Sequence, residues 1–361
     1  MNVKSALVLS VLGAALSSAV PATGHDAPVA PPASQAAASP AAAGLAAYKA
    51  GDFAEAARLW TPVAEAGDAQ SQYNLAVLYD YGMGVPQDYA RAAELYKKAA
   101  EQGHARAQNG IGALTERGQG VPKDPAVAAV WYKKAADQGN AEAENNLGAM
   151  YLKGEVFPQD YATAMAWFRK SADQGLRDAQ YNLGVMYYYA RGVAVDYPTA
   201  AVWFRKAAEQ GDIKAQFNLA LMNEAGQGVA QNYVEAELWY EKAAEQGMAA
   251  AQLRTGWLYD NGHGVAQDHA KAVVWYRRAA DQGEALAQLD MGDIYGEGAG
   301  VPKDNIQAYM WYSLAIAGTT NVDLRDVATE SREELAGKMT AAEIAEAEAL
   351  VKAWKPVSEV P

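Results

Sequence analysis

The stretch LRDAQYNLGVMYYYARGVAVDYPTAAVWFRKAAEQG, residues 176–211, holds the architecture in one copy. Ala179, Leu183, Met186 and Tyr187 occupy its positions 4, 8, 11 and 12, a single stripe along a helix. Gly192 then interrupts the chain, because glycine reaches positive φ at little steric cost. Asp196 and Pro198 mark the start of a second helix: the carboxylate accepts from backbone amides that lack an intrahelical partner, and proline is tolerated in a first turn. Trp203 and Phe204 give that helix a bulky side, while Ala207 and Ala208 let a neighbour approach closely.

The Gln-Gly pair that closes this stretch returns every 36 residues, at Gly103, Gly139, Gly175, Gly211, Gly247 and Gly283. Seven units in register fill residues 68–319, and a partial unit precedes them at 45–67. Position 21 carries Asp88, Asp124, Asp160, Asp196, Asn232, Asp268 and Asp304, which read as structural helix caps rather than as catalytic or metal-binding groups. Trp131, Trp167, Trp203, Trp239, Trp275 and Trp311 recur at position 28. One such hairpin cannot bury its apolar face alone, so neighbouring units must stack.

These residues resemble the Sel-one-like repeat, a relative of the tetratricopeptide repeat. A-x-x-x-L-G-x-x-Y, the G-x-G-V-x-x-D connector and A-x-x-W-Y-x-K-A-A-x-x-G recur in successive copies over roughly residues 45 to 319. The resemblance implies an all-α, right-handed superhelical solenoid of helix-turn-helix repeats with a concave groove. It also implies an adaptor that assembles protein complexes; exported bacterial relatives are linked to envelope signalling, exopolysaccharide production and host interaction. The chain departs from the pattern at Ala190, which replaces a connector glycine, at Glu155 and Phe157 in another connector, and in lacking the cysteine pairs of some exported relatives.

Residues 1–22 join one lysine to an apolar run and a small-residue site after Ala22, which reads as a secretory signal peptide. Residues 23–44 read as a Pro/Ala-rich flexible tether. The expected location is the bacterial periplasm or the exterior, with no membrane insertion of the mature chain. The period stops after residue 319, and 320–361 are expected to form capping helices and a tail, with helices near Asp323 to Lys338 and Ala341 to Trp354. Thr340 to Glu343 has the pattern of a capping box. With 30 basic against 43 acidic residues, a formal net charge of -13, the composition speaks against nucleic acid as a partner. Cysteine is absent, so stability rests on packing without disulfides.

In the related tetratricopeptide architecture the stripe at positions 3, 7, 10 and 14 of the first helix faces the groove. Asn74, Asn146, Asn182 and Asn218 stand at position 7, and an amide that donates and accepts at once suits the backbone of an extended peptide. The alternative is that these amides tie adjacent helices together. Tyr188 and Tyr189 lie outside the core stripe, Tyr181 lies near the same edge, and Trp257 takes position 10 of the sixth unit. Aromatics beside an amide row have the composition of an interaction hot spot. Alanine at Tyr188 or Tyr189 is expected to weaken partner binding and leave thermal stability nearly unchanged.

None of the motifs G-x-S-x-G, S-x-x-K, H-E-x-x-H or G-x-x-x-x-G-K-[ST] is present, and no cofactor is expected. His263, His269 and Asp260 surround one connector, but a loop without cysteine enforces no tetrahedral metal site. The expected function is a non-catalytic scaffold that holds a protein or peptide partner in its groove. A carbohydrate- or cell-wall-binding module with polysaccharide stacked on the tyrosines is the alternative, and an envelope hydrolase has the least support.

Overall fold

The structure, a computed structural model, describes residues 39–357, and among them every regular element is a helix. The expected signal peptide and most of the expected tether lie outside the described residues. The chain divides between Ala194 and Val195 into two compact units, which are taken in turn.

Residues 39–194 open with a hairpin of α1 (Pro40–Lys49) and α2 (Phe53–Glu65). Residues 40–44, expected to belong to the tether, are instead the first turns of α1. Ser39 caps them by accepting from the Ala42 amide at 3.2 Å, and Pro40 takes the first turn. Trp60, fully buried, donates its indole N–H to the Ala41 carbonyl at 3.1 Å and anchors the segment. The alanines that look like linker composition are strong helix formers once capped and anchored.

Then follow α3 (Ala69–Tyr81) and α4 (Tyr89–Glu101), α5 (Ala105–Arg117) and α6 (Pro125–Ala136), α7 (Ala141–Lys153) and α8 (Tyr161–Asp173), and α9 (Arg177–Tyr188). Residues 195–357 hold α10 (Tyr197–Glu209), α11 (Ile213–Ala225) and α12 (Tyr233–Glu245), α13 (Ala249–Asn261) and α14 (His269–Asp281), α15 (Ala285–Glu297) and α16 (Asn305–Gly318). They end with α17 (Val322–Ala336) and α18 (Ala341–Ala353), both packed on α16. Within each unit the repeat helices pack on the helices before and after them in the chain, the contact pattern of a solenoid.

Asp88, Asp124, Asp160, Asp196, Asn232, Asp268 and Asp304 each stand immediately before the second helix of a repeat and accept from its first-turn amides. In the fourth repeat Ala190 holds the left-handed conformation, φ 57°, where glycine is the unstrained choice. Close packing in the hairpins depends on the glycine of the first helix. A Cβ on Gly148 would lie 2.7 Å from the Phe168 ring, and one on Gly112 would lie 2.8 Å from the Tyr132 ring.

A glutamine relay, its middle member buried, ties one repeat to the next. Gln138 donates to Gln108 at 2.8 Å, and Gln108 donates to the Ala100 carbonyl of the preceding repeat at 3.1 Å. The same trio joins Gln102, Gln72 and Ala64, then Gln246, Gln216 and Ala208, then Gln282, Gln252 and Ala244. Each relay satisfies carbonyls at a helix end that stacking has removed from water. At the C-terminus Thr340 and Glu343 form both bonds of a capping box, and the Val357 amide reaches the Asp281 carbonyl at 2.8 Å.

Candidate interaction surface

The position-7 asparagines lie within the stack and do not form a binding row. Asn74, Asn146, Asn182 and Asn218 are all at most 4% exposed. Asn146 donates to Asn109 of the preceding repeat at 3.1 Å, and Asn109 donates to Glu142 at 2.8 Å. Asn182 donates to Asn145 at 2.9 Å, again one repeat back, and Asn74 accepts from Gln70 at 2.9 Å. Stacking brings position 7 of the third and fourth repeats against position 6 of the repeat before, so the Asn146 and Asn182 amides are used between helices, while Asn74 is bonded within its own helix. Asn218 is buried too, with neither amide atom hydrogen-bonded. Tyr181, fully buried, is likewise part of the packed interior and not of a surface edge.

The remaining candidates reach the surface. Tyr188 and Tyr189 are half-buried, with rings meeting edge to face at 5.0 Å, and the Arg191 guanidinium lies 5.5 Å from the Tyr189 ring. Burial, with Tyr188 beside it, raises the Tyr189 phenol above its ordinary range. Around them the positions that face outward from the first helices change from repeat to repeat. Position 14 reads Tyr81, Arg117, Lys153, Tyr189, Ala225, Asn261 and Glu297, whereas the alanines and aromatics of the core recur.

Recesses form between successive first helices. In residues 39–194 a narrow one lies between α3 and α5, lined by Asp80, Tyr81, Arg106, Asn109, Arg117 and Glu142, so both charge signs meet there. In residues 195–357 a cavity of about 270 Å³ lies between α13 and α15. Trp257, Tyr276, Leu286 and Ile294 form its apolar walls; Asp260, Asp290, Asp293 and Glu297 also line it, and no lysine or arginine does among the described residues. At its lip His269 pairs with Asp260 at 2.7 Å, while His263 stacks between Tyr233 and Trp257, 5.0 and 4.9 Å from their ring centres. The two histidines that the sequence brings near Asp260 are thus engaged differently. Among the described residues no cluster of three metal-ligating side chains occurs.

Of the lining residues, only Trp257 and Asp260 stand out from sequence. The signal that marks the others is variation at positions 10 and 14 against a constant core. A second signal couples two positions. Tyr96, Tyr132 and Tyr240 at position 29 donate to Asp80, Glu116 and Glu224 at position 13, and Phe168, which has no hydroxyl, is matched by Leu152.

Comparison with known proteins places this geometry in context. The Sel1 repeat pattern matches seven consecutive segments, residues 69–104, 105–140, 141–176, 177–212, 213–248, 249–284 and 285–318. A Sel1 repeat protein from Oxalobacter formigenes is 31% identical, the match covering 67% of this chain and 97% of that one with a TM-score of 0.60. A protective antigen of uropathogenic Escherichia coli strains, displaying an SLR fold, is 30% identical over 87% of this chain and 83% of its own, with a TM-score of 0.44. No curated protein matches the chain.

Proposed function

The chain belongs to the Sel1 repeat family, whose members are generally protein-interaction scaffolds and typically not catalysts, and we propose that it is a non-catalytic adaptor binding a protein partner along its first helices. One observation carries this reading: the repeats keep their core residues and vary the residues that line the recesses between first helices. Packing demands the same side chains in each copy, so a face that differs from copy to copy serves recognition. Residues 1–22 support an exported location, and with it a partner in the bacterial envelope, such as a signalling or exopolysaccharide system.

The test compares capture of one quantified partner by the full chain and by two surface variants. Arg117→Ala with Tyr189→Ala alters the first-helix face; Val202→Ser with Val274→Ser alters exposed positions on second helices, which are 54% and 52% exposed. Selective loss with the first pair is the expected result. Loss with the second pair alone would move binding to the opposite face. Export is checked by N-terminal sequencing of the mature chain from fractionated cells, with Thr23 expected as its first residue.

A further inference from the structure

We propose that the exposed face of the second helices α10, α12 and α14 is a docking surface for an acidic amphipathic helix of a protein partner. It uses none of the residues of the first-helix face, so it stands independently of the reading above.

Two rows mark the surface. Val202, Leu238 and Val274 recur at repeat position 27 and are 54%, 42% and 52% exposed. One turn further along each helix, at position 31, stand Lys206, Lys242 and Arg278. Each cation lies over the tryptophan of its own repeat, 4.1, 4.2 and 4.7 Å from the ring centres of Trp203, Trp239 and Trp275. The indole holds the charge in place without neutralising it. None of the three makes an ion pair among the described residues. Asp281 is taken by Arg277 at 3.0 Å, and Glu209 and Glu245, three residues beyond the lysines, pair with neither of them.

The last repeat shows what covers such a face. Its positions 27 and 31 carry Met310 and Leu314, only 5% and 6% exposed. The helices α12 and α14 pack on the first helices before and after them, whereas α16 packs on α15, on α17 and, in addition, on α18. Leu350 and Val351 of α18 pack against the apolar cluster that holds Met310 and Leu314. The same helix carries Glu343, Glu346 and Glu348 against a single lysine, Lys352. The chain thus seats an acidic amphipathic helix of its own on its last second helix. Where position 31 is a cation instead of leucine, the complementary helix sets carboxylates beside its apolar row. Side chains of successive second helices meet, Arg205 with Glu235 at 3.5 Å and Arg277 over the Trp311 ring at 4.9 Å. The helices therefore run roughly 10 Å apart. A helix laid across them returns an equivalent side chain every seven residues, about 10 Å, in step with the cations. Like-facing residues of an extended strand, about 6.8 Å apart, fall out of step.

The probe is the α18 peptide, residues 340–354, fluorescein-labelled and stapled through positions 345 and 349, both exposed in α18, so that it stays helical. Its anisotropy is followed on adding the full chain, whose own α18 already covers the last repeat. Saturable binding is expected, weakened about fivefold or more when Glu343, Glu346 and Glu348 of the peptide are replaced by glutamine. Val202→Ser with Val274→Ser in the chain should weaken the acidic peptide about threefold to tenfold and leave the melting temperature unchanged. Lys206→Gln with Lys242→Gln and Arg278→Gln should bring the acidic and glutamine peptides to equal affinity. Binding indifferent to the valine pair, equal binding of both peptides by the wild-type chain, or no binding at millimolar chain would each overturn the proposal. So would sedimentation with anionic lipid vesicles that saturating peptide fails to prevent, which would assign the face to a membrane. Arg117→Ala with Tyr189→Ala should bind the peptide as wild type does. Loss of the peptide in that variant would place it on the first-helix face and sink this surface while leaving the adaptor reading intact.

Discussion

Asn146 and Asn218 occupy the same repeat position in different company. Asn146 is bonded to Asn109 of the preceding repeat, whereas the Asn218 amide is buried with both atoms unbonded. Removing one partner of a buried bond strands the other, while replacing an unbonded amide by a hydrocarbon of similar volume relieves a desolvation cost. Asn146→Leu is therefore expected to lower stability by about 1–3 kcal/mol in chemical denaturation, and Asn218→Leu to raise it. Equal losses in the two variants would mean that the Asn218 amide is satisfied in solution. The asparagine row itself was legible from sequence. Its role was not, because an amide that bonds a peptide and one that bonds a neighbouring helix leave the same mark on a single chain.

At the scale of the element, the second helices begin on a recurring Asp or Asn that local chemistry makes legible, whereas the first helices begin less uniformly. Asp68, His104, Asn140 and Asp212 cap α3, α5, α7 and α11 with a side-chain acceptor, but Leu176, Met248 and Glu284 do not cap theirs. His104 is the titratable member of the set. Its Nδ1 accepts from the Ala107 amide at 3.1 Å, and its Nε2 faces Gln70 at 3.2 Å. Burial, assisted by Arg106, holds its pKa below the usual 6.5. The unfolded chain thus takes up a proton near pH 6.5 that the folded chain resists, so this contribution to stability is present above that pH and is lost as pH falls. Protonation would also remove the acceptor that caps α5. His104→Asn, the residue that caps α7, should flatten the melting temperature between pH 7.5 and pH 5 relative to wild type. Parallel profiles for the two proteins would rule out His104 as the source of the slope.

For the whole molecule, the decisive feature is that each repeat depends on a neighbour for cover. In residues 195–357 the last repeat finds that cover in α17 and α18, where Leu324, Ala328, Leu335 and Ala347 are buried with Trp311, Leu314 and Ala315 in the interior. A chain ending after Thr319 should bare that interior, bind more of a hydrophobic dye, associate in light scattering and melt at lower temperature than the full chain. Unchanged dye binding and melting would mean that α16 is sufficient as a terminus. No helix among the described residues is long and apolar enough to cross a membrane.

The sequence by itself determined the repeat length, the two helices in each repeat, the capping acids and the stacking of successive copies. Each of these follows from residues a few positions apart, where helical spacing and first-turn hydrogen bonding operate. Tertiary structure decided which polar groups are occupied. Stacking turned the Asn146 and Asn182 amides toward the preceding repeat, Trp60 and its buried indole anchored residues 40–44 in α1, and His269 paired with Asp260. Those outcomes depend on distances across helix pairs, set by packed volumes such as the Phe168 ring over Gly148, and a helical period does not encode them.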